Sequence, residues 1–328
     1  MTGVSSKRGA ALITALMITA VMAAVAVGLS QGLFYSIGRS GNLAARDTAY
    51  WYAMGARDFA EGALVRSLPP AGEPMRPGDA WVQGARQFEI EGGALVGHVR
   101  DMNNCFNLNS LVRREGAGRY IADEAAGERF MALAEALNLP AGEAQAILSQ
   151  ATDWIDSDSQ PAGRGAEDIT YLQRPLPHRA ANTLFTEREE LLALPAMTRP
   201  VYAVLAPLVC AQPVADAAAL NPNTLRAEQA PLLAAALGNR LSLSDTALLI
   251  SRRPSTGFPD LETFWADPLL ADLDLAAEDR PALTLNSRYF EIRIEVRQGE
   301  TRYALIETVE RVSGNRLERH HQRFGVFL

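Results

Sequence analysis

The N-terminal segment lacks charge, since no Asp, Glu, Lys or Arg lies between Arg8 and Arg39. About 20 apolar residues are enough to span a bilayer as a helix, and this uncharged stretch is longer. A backbone in hydrocarbon must satisfy its own hydrogen bonds, so we predict a transmembrane helix over residues 10–38. The cations Lys7 and Arg8 in front of the segment favour a cytoplasmic N-terminus, with everything after Arg39 across the membrane.

Cysteine and histidine are also scarce. Cys105 and Cys210 are the two cysteines of the chain. In an oxidising compartment such a pair is more often bridged than free, and two buried thiols are the alternative. The histidines show no metal-ligand spacing and are His98, His178, His320 and His321. The His320-His321 pair lies in a polar stretch and is interpreted as solvated. No Ser-His-Asp or Cys-His pattern stands out, and we predict that the protein is not an enzyme.

The composition is that of an ordinary globular protein after the apolar segment. The chain has 328 residues, 48% of them hydrophobic and 21% charged, which leaves room for two domains. The formal charge of −7 becomes −9 if Lys7 and Arg8 are removed. Because nucleic-acid binding depends on neutralising phosphates, an acidic body of this kind makes a nucleic-acid partner unfavourable.

The residues before the apolar segment resemble a prepilin leader: Lys7-Arg8-Gly9 is followed directly by Ala10-Ala11-Leu12-Ile13. A secretory signal peptide has a shorter apolar core, about 7–15 residues, and is cleaved after it. The resemblance implies that residues 1–9 form a leader and that a prepilin peptidase cuts between Gly9 and Ala10. It also implies methylation of the mature protein, which keeps its helix. A plain membrane anchor is the alternative interpretation.

The fifth residue of the implied mature protein is Thr14, where pilins and major pseudopilins carry Glu. In that family the Glu is thought to pair with the N-terminal amine of a neighbouring subunit. A carboxylate buried in lipid is costly without such a partner. A subunit without the Glu does not need a neighbour above it, which suits the tip of a fibre.

The remaining pattern predicts an α+β body split in two. A helical stripe from Asn42 to Arg66 continues the membrane helix, with a break expected near Gly38–Gly41. Strands are predicted on both sides of Gly92-Gly93, as a hairpin. Alternating residues predict two more strands, over 289–297 and 302–309, and a last strand is expected over 323–328. The first part of this body would be residues 39–110 and the second part residues 284–328.

The intervening segment, residues 111–283, is predicted to be helical and internally repeated, with units at about 111–210 and 220–283. Phe106-Asn107-Leu108-Asn109-Ser110-Leu111 matches Leu220-Asn221-Pro222-Asn223-Thr224-Leu225. A second match, with a constant offset, relates the residues that follow Phe185 to those that follow Phe258. A repeated unit can bury against its copy what it cannot bury alone. The Asn and Ser/Thr residues before each helix fit N-caps.

An ordered series of motifs resembles the minor pseudopilin K family of type II secretion systems. The motifs are Phe106-Asn107-Leu108-Asn109, Asp153-Trp154-Ile155-Asp156-Ser157-Asp158, Gly165-Ala166-Glu167-Asp168, Glu189-Glu190-Leu191-Leu192 and Asn221-Pro222-Asn223-Thr224. The resemblance implies a transmembrane helix that continues into a pilin-like helix packed on an antiparallel sheet. It further implies a large all-α insertion of two helix-hairpin-helix-like, or sterile-alpha-motif-like, units.

The same resemblance implies the partners and the location. Members of the family cap a periplasmic pseudopilus together with minor pseudopilins I, J and H, above the major pseudopilin G. The protein would be a single-pass inner-membrane protein with most of its chain in the periplasm, supporting export of folded proteins across the outer membrane. The insertion would sit above the tip and could contact an exoprotein substrate or the secretin. This role is mechanical.

The acidic loop of the first unit is the candidate metal site. Its carboxylates are Asp153, Asp156, Asp158, Glu167 and Asp168. Calcium takes six to eight oxygen ligands, and dense carboxylates on a loop suit it. Pro161 stands where an EF-hand needs glycine, so a true EF-hand is not expected. The family binds calcium in its helical domain, and the resemblance therefore implies structural calcium here.

The carboxylates and the helical units suggest two other functions. Paired carboxylates can catalyse glycoside hydrolysis, but no substrate-cleft signature accompanies them, and Trp154 is interpreted as packing. A membrane-anchored helix-hairpin-helix DNA-binding protein of a competence-type system is the alternative function. The hairpin candidates are Leu194-Pro195-Ala196-Met197 and Asp267-Pro268-Leu269-Leu270, which lack the glycines that usually bring backbone amides to phosphate.

Overall fold

The structure is a computed structural model that describes residues 5–70, 72–116, 118–273, 275–276 and 280–325, with the backbone alone for residues 5–9. Helix α1 spans Ser5–Ser67 without interruption. Its 63 residues give a rod about 95 Å long. The break expected near Gly38–Gly41 is absent from this helix, because the neighbouring residues propagate the hydrogen-bond ladder through the glycines.

The membrane half of α1 is exposed along its whole length, whereas the outer half packs on a sheet. Among the described residues, α1 is the one helix that is long and apolar enough to cross a membrane. Ala49, Ala53 and Leu64 on the outer half are fully buried. The two halves of the helix therefore have different surroundings. The first half is suited to lipid, and the second half packs against the protein core.

Five antiparallel strands form the sheet in the order β1-β2-β7-β8-β9. Their bounds are Arg86–Ile90, Gly93–Asp101, Tyr289–Gln298, Thr301–Arg311 and Leu317–Gly325. The β1–β2 hairpin turns at Gly92-Gly93, as predicted. Strand β2, before the insertion, pairs directly with β7, after it. The predicted split α+β body is thereby confirmed, since one sheet is built from both ends of the chain.

The core between α1 and the sheet follows the predicted alternation of β7. Ile292, Ile294 and Val296 are almost completely buried and pack with Leu305 and the small residues of α1. Gly93 has to be glycine, because a Cβ there would lie 1.7 Å from the Arg297 carbonyl oxygen of the paired strand.

The last strand begins earlier than predicted, and the end of the predicted strand, residues 326–328, lies outside the described residues. A β-bulge interrupts its pairing, because Thr308 faces His321 while Val309 faces Arg319. The extra residue is His320. His320 is exposed and His321 half-buried, as expected of solvated side chains, and each also has a carboxylate partner that the sequence did not indicate: His320 Nε2 lies 2.6 Å from a Glu310 oxygen, and His321 Nε2 lies 3.0 Å from a Glu187 oxygen.

The insertion is mainly helical but not all-α, which corrects the predicted fold in this detail. Within it an antiparallel hairpin joins β4 (Val112–Glu115) to β5 (Arg119–Ala122), and β6 (Val209–Cys210) pairs in parallel with β3 (Phe106–Asn107), which lies just before the predicted start of the insertion. Its helices are α2 Glu124–Ala136, α3 Ala141–Ile155, α4 Asp168–Leu172, α5 Arg199–Leu205, α6 Ala230–Ala236, α7 Leu243–Ser251, α8 Leu261–Trp265 and α9 Pro268–Ala271. Short 3-10 helices span Leu108–Leu111, Arg188–Ala193, Ala227–Gln229 and, before β9, Ser313–Asn315.

Two separate hydrophobic cores lie within the insertion. One surrounds Phe130, Tyr171 and Phe185, and the other surrounds Leu233 and Phe264. Helix α2 of the first packs on α6 of the second. The predicted disulfide joins Cys105 to Cys210 with Cα atoms 5.8 Å apart, and so ties β6 back to the chain that leaves β2.

Candidate metal centre and its repeated scaffold

A buried asparagine pair organises the first unit. The Asn107 side-chain oxygen accepts from the Asn109 amide, which turns the chain into the first 3-10 helix. Asn109, fully buried, then clamps Phe185 from both sides: its amide nitrogen donates to the Phe185 carbonyl at 2.9 Å and its oxygen accepts from the Phe185 amide at 2.7 Å. Buried polar groups need such partners, so this clamp fixes two segments far apart in sequence.

The second unit has the same clamp. The Asn221 side-chain oxygen accepts from the Asn223 amide at 3.0 Å. The Asn223 side chain exchanges two hydrogen bonds with the backbone of Phe258, at 2.9 and 2.7 Å. The repeat seen in the sequence is therefore a repeat of hydrogen-bond geometry. The sequence indicated N-caps at these asparagines, and it did not indicate that their side chains reach the phenylalanines.

Three of the five predicted ligands meet at one point of the first unit. One carboxylate oxygen from each of Asp156, Asp158 and Glu167 lies within 4.8 Å of the others. Asp156 ends α3 as its C-cap, and Glu167 begins α4 as its N-cap, so two helix ends hold the site. The loop between them is shaped by side-chain turns, in which Asp156 and Asp158 accept the amides of residues 158 and 160.

Asp153 and Asp168 lie outside this cluster and hold the surrounding backbone. Both oxygens of Asp153, which is fully buried, accept from the Ala162 amide at 3.2 Å, which anchors the loop from inside. Gly165 packs so closely on this carboxylate that a Cβ would lie 1.8 Å from Asp153 Oδ2. Asp168 accepts from the Ala180 amide at 3.0 Å and pairs with Arg179. The sequence motif contained Gly165 but did not indicate its close packing on Asp153.

The electrostatics of the cluster are unfavourable for carboxylates alone. Burial, with the nearby Asp158 and Asp153 charges, raises the pKa of Asp156 to about 7. Burial and the surrounding carboxylates raise the pKa of Glu167 to about 7 as well. Burial also raises the pKa of Asp153, to about 6, against two backbone hydrogen bonds that lower it. Ionisation of these groups near neutral pH therefore lowers the free energy of unfolding.

The donor set fits a calcium ion. Neither oxygen of Glu167 has a hydrogen-bond partner among the described residues, although the side chain is buried. A calcium ion binds oxygens at about 2.3–2.6 Å, so two ligands of one ion lie within about 5 Å of each other, as the three carboxylates do. Calcium binding itself stays a prediction.

The hairpin turns of the DNA-binding alternative are satisfied internally. The Ala196 amide donates to Gln150 Oε1 at 2.7 Å, and the Leu269 amide donates to Asp267 Oδ1 at 3.0 Å. Amides used in this way are not available to phosphate. The alternative is not supported. Trp154 is 7% exposed and packs edge-on against Tyr171, in agreement with a packing role.

At the other end of the chain, Gly9 and Ala10 both lie within α1, and cleavage between them stays a prediction. The Thr14 hydroxyl lies 3.0 Å from the carbonyl oxygens of Ala10 and Ala11. This hydroxyl is satisfied by its own helix and needs no partner from a neighbour.

Comparison with known proteins gives one consistent family. The sequence model of the family described as "Type II secretion system (T2SS), protein K" matches residues 104–214 and 220–286. The type II secretion system protein K of Pectobacterium carotovorum is 30% identical over 98% of this chain and 97% of its own length. That of Aeromonas hydrophila is 32% identical over 94% of both chains.

A solved structure shows the same fold. It is a chain of the GspK–GspI–GspJ complex from enterotoxigenic Escherichia coli, and it is 29% identical with a TM-score of 0.74. The match covers 88% of this chain and 100% of that one. The family model, the relatives matched over nearly their full length and the shared fold agree, and the chain belongs to the type II secretion system protein K family.

Proposed function

We propose that the chain is a minor pseudopilin at the tip of a type II secretion pseudopilus, where it supports export of folded proteins across the outer membrane. The observation that carries this proposal is the match over nearly the whole chain to a protein solved with GspI and GspJ. The corresponding minor pseudopilins I and J are the proposed direct partners. Minor pseudopilin H and the major pseudopilin G, below the tip, complete the assembly.

Helix α1 anchors the chain in a membrane by a single pass. We propose that this is the inner membrane and that the sheet and the insertion lie in the periplasm. Prepilin peptidase would cut after Gly9 and free the amine of Ala10 for methylation. The helix then leaves lipid and packs against other pseudopilin helices, since small residues such as Gly28 allow close approach.

Two features support a position at the tip, Thr14 in the membrane helix and the bulk of the insertion. Thr14 offers no carboxylate to a subunit above, and its hydroxyl is already bonded within the helix. The insertion adds two further cores beside the sheet, a bulk on which another pilin-like subunit has no room to stack. It is also the part suited to touch an exoprotein or the secretin. The family is a structural component of the secretion system, and we propose that this chain acts mechanically, without catalysis.

We propose further that Asp156, Asp158 and Glu167 hold a structural calcium ion. When bound, the ion supplies positive charge that offsets the mutual repulsion of the three carboxylates. Asp153 holds the loop in place through Ala162 and stays outside the ligand set. The loop joins α3 to α4, so a closed loop fixes the first unit of the insertion.

The test combines processing with assembly. Mass spectrometry of the protein from its native host should find a mature product that starts at Ala10, and a product starting beyond Leu29 would contradict the pilin-like pathway.

The full chain should co-purify with minor pseudopilins I and J, and EDTA should weaken its stability. Deleting residues 112–283 while keeping both halves of the sheet should alter pseudopilus length or secretion, and normal secretion would refute the tip role.

A further inference from the structure

An open groove lies between helices α2 and α3 in the first unit of the insertion, and its volume is about 1010 Å³. The two helices approach each other closely at Gly127, where a Cβ would lie 3.5 Å from a methyl carbon of Leu148. The three candidate calcium ligands do not line this groove. It is therefore a second feature of the first unit, separate from the candidate metal site.

The α3 wall of the groove is uncharged. Its residues recur at helical spacing, and they are Ala141, Ala144, Gln145, Leu148, Ser149 and Thr152. The half-buried Met131 of α2 adds an apolar side chain beside them. This side of the groove suits the apolar side chains of a ligand.

The α2 wall is acidic. Glu124, Glu128 and Glu135 lie on one face of the helix, since their spacing follows the helical repeat, and all three are exposed. Asp123 adds a carboxylate at the N-cap, where it accepts the Ala126 amide at 2.8 Å. The described residues that line the groove include no Lys, Arg or His. The groove thus has one neutral wall and one negative wall.

The spacing of these glutamates is unfavourable for the helix that carries them. Glu124 and Glu128 are four residues apart, and like charges at this spacing destabilise a helix. Glu135 lies in the last turn, where the helix dipole disfavours negative charge and no basic residue offsets it. Glu135 accepts a hydrogen bond from Asn239 at 2.9 Å, and none of the three glutamates pairs with a cation of the described residues. Their charge is therefore available to a partner.

We infer that this groove binds a basic, amphipathic helix on the surface of a protein that is being exported. Lys or Arg side chains of that helix would meet the carboxylates of α2, and its apolar side chains would meet the α3 wall. From Glu124 to Glu135 the acidic face extends about 17 Å, so about three turns of the partner helix match it. The inference rests on the proposed function and deepens it, because it names the surface and the chemistry that bind the transported protein.

The dimensions and the charge of the groove favour a transient partner over a fixed subunit. A helix about 10 Å wide and about 17 Å long covers roughly a few hundred Å². A stable protein–protein interface buries about 1,200–2,000 Å² in total. Exposed ion pairs add little stability, whereas complementary charge speeds association. A transported protein has to bind quickly and leave again, and these are the properties that it requires.

A designed peptide tests the groove on the full-length chain in detergent. The fluorescent probe has about 18 residues, enough to form a helix, with Lys at positions that match the three glutamates and Leu on the adjoining face. The control peptide has the same residues in an order without an amphipathic face. We expect the probe to bind with a dissociation constant of about 10–100 µM and the control peptide at least about tenfold more weakly. Salt at about 0.5 M should weaken probe binding severalfold.

Two substitutions separate the shape of the groove from its charge. Gln145→Trp fills the groove from the α3 wall without a change of charge, and Gln87→Trp on the exposed strand β1 is its control. Glu128→Lys reverses one charge of the acidic face, and Glu228→Lys makes the same change at an exposed position of the second unit. We expect Gln145→Trp and Glu128→Lys each to weaken probe binding about five- to tenfold, and each control less than about twofold, with melting temperatures close to that of the wild type.

The outcomes distinguish this inference from the proposed function. A wild-type chain that binds neither peptide, or both equally, would overturn the groove inference, while co-purification with minor pseudopilins I and J would still support the proposed function. Equal probe binding by Gln145→Trp and the wild type would also overturn the inference, because the peptide would then lie elsewhere.

Secretion from the native host carries the test into the cell. If Glu128→Lys lowers secretion and still co-purifies with minor pseudopilins I and J, both the groove inference and the proposed function are supported. Loss of either minor pseudopilin from this variant would assign the groove to assembly and overturn the inference. If the wild-type chain itself binds neither minor pseudopilin, the proposed function fails, and a role of the groove in transport fails with it.

Discussion

The two units of the insertion share one clamp and differ in what it encloses. In the first unit the clamp joins Asn109 to Phe185 across 76 residues, whereas in the second it joins Asn223 to Phe258 across 35. The acidic loop lies within the longer span. The second unit has no matching cluster of carboxylates among its described residues. The candidate metal site thus belongs to one copy alone among the described residues, and it lies between the two residues of that copy's clamp.

The clamps also differ in what they hold beyond their own unit. The Asn109 side chain donates a second hydrogen bond to the Gln212 carbonyl, inside the insertion. The Asn223 side chain donates instead to the Met75 carbonyl, which follows α1 in the pilin-like body. The clamp of the second copy therefore reaches the sheet domain directly, whereas the first copy contacts that domain through other side chains, such as Glu187, whose carboxylate pairs with His321. The first copy also carries the candidate site.

Removing either clamp should have the largest effect. Asn109→Ala and Asn223→Ala each leave buried backbone groups of a phenylalanine without partners, and we expect a loss of about 3–4 kcal/mol in unfolding free energy. Because Asn223 also holds Met75, Asn223→Ala should lower the melting temperature of the sheet domain too, which Asn109→Ala should spare. Thermal unfolding followed by near-UV circular dichroism would measure both.

The exposed Asn42 of α1 supplies the control for the clamps, since Asn42→Ala removes an amide that is not buried and should change stability little. Equal, small losses from all three substitutions would show that the clamps do not hold the units together.

Gly165→Ala should affect the first unit alone. The new methyl group would collide with Asp153, so the loop anchor has to move, and we expect a loss of about 2–3 kcal/mol. Gly142→Ala is the matched control, because its methyl group would lie 3.4 Å from the end of the flexible Arg164 side chain. A urea titration of both variants measures the difference. A Gly165→Ala variant as stable as Gly142→Ala would remove Asp153 from its anchoring role.

Most strands and turns of the sheet domain could be predicted from the sequence, because the signals lie in neighbouring residues. Strand β7 alternates between apolar and charged residues, which predicts a strand with one buried face. Gly92-Gly93 predicts the turn of the β1–β2 hairpin, whose strand β2 pairs with β7. The last strand was placed too late because its polar residues, His320 and His321 among them, are held by partners distant in sequence. No local signal predicts the bulge that turns both histidines toward Glu310 and Glu187.

The candidate site was predictable in composition and not in geometry. Five acidic residues in one short segment indicated a metal, yet nothing local separates Asp156, Asp158 and Glu167 from Asp153 and Asp168. Tertiary contacts decide which carboxylates share the site. The Ala162 amide donates to Asp153 and the Ala180 amide donates to Asp168, and these hydrogen bonds hold both side chains outside the cluster. The small strands β3 and β6 were missed for the same reason: two-residue pairs have no periodicity to detect.

Calcium should stabilise the first unit with a distinct pH dependence. Because the pKa values of Asp156 and Glu167 are both raised to about 7, the contribution of these two groups to the stability of the metal-free protein is full below pH 4 and is lost as pH rises toward 7. At 10 mM calcium and a dissociation constant of about 1 mM, the gain at pH 8 is about 1.4 kcal/mol, and it should vanish near pH 5, where protons displace the ion.

Melting temperatures in calcium and in EDTA, taken from pH 4.5 to 8.5, check this expectation. Glu167→Gln should abolish the calcium effect, while Glu128→Gln, on an exposed face of α2, should keep it. A calcium effect that is independent of pH, or that survives Glu167→Gln, would mean that the ion binds elsewhere.

The sheet domain holds a buried carboxylate with a similar electrostatic problem but without a metal cluster. Glu307 of β8 is fully buried, and its oxygens have no hydrogen-bond donor among the described residues. Arg319 lies 3.4 Å away from it and is bonded mainly to Glu61. The charge of Arg57 also acts on Glu307, and Asp58 faces Arg319. Burial, and then the neighbouring Glu61, raises the pKa of Glu307 to about 8.

Glu307→Gln should therefore change the pH dependence of the sheet domain and leave the calcium response of the first unit intact. The contribution of Glu307 to stability is full below its ordinary pKa of 4.5 and is lost as pH rises toward 8, so the neutral amide should be equal to wild type at pH 4.5 and more stable by up to about 4 kcal/mol at pH 8.5. Glu310→Gln, on the opposite face of the same strand, loses pairs with Arg288 and His320 and should destabilise instead. If Glu307→Gln also removed the calcium effect, the two carboxylate clusters would be coupled, and the candidate metal site would not be independent of the sheet domain.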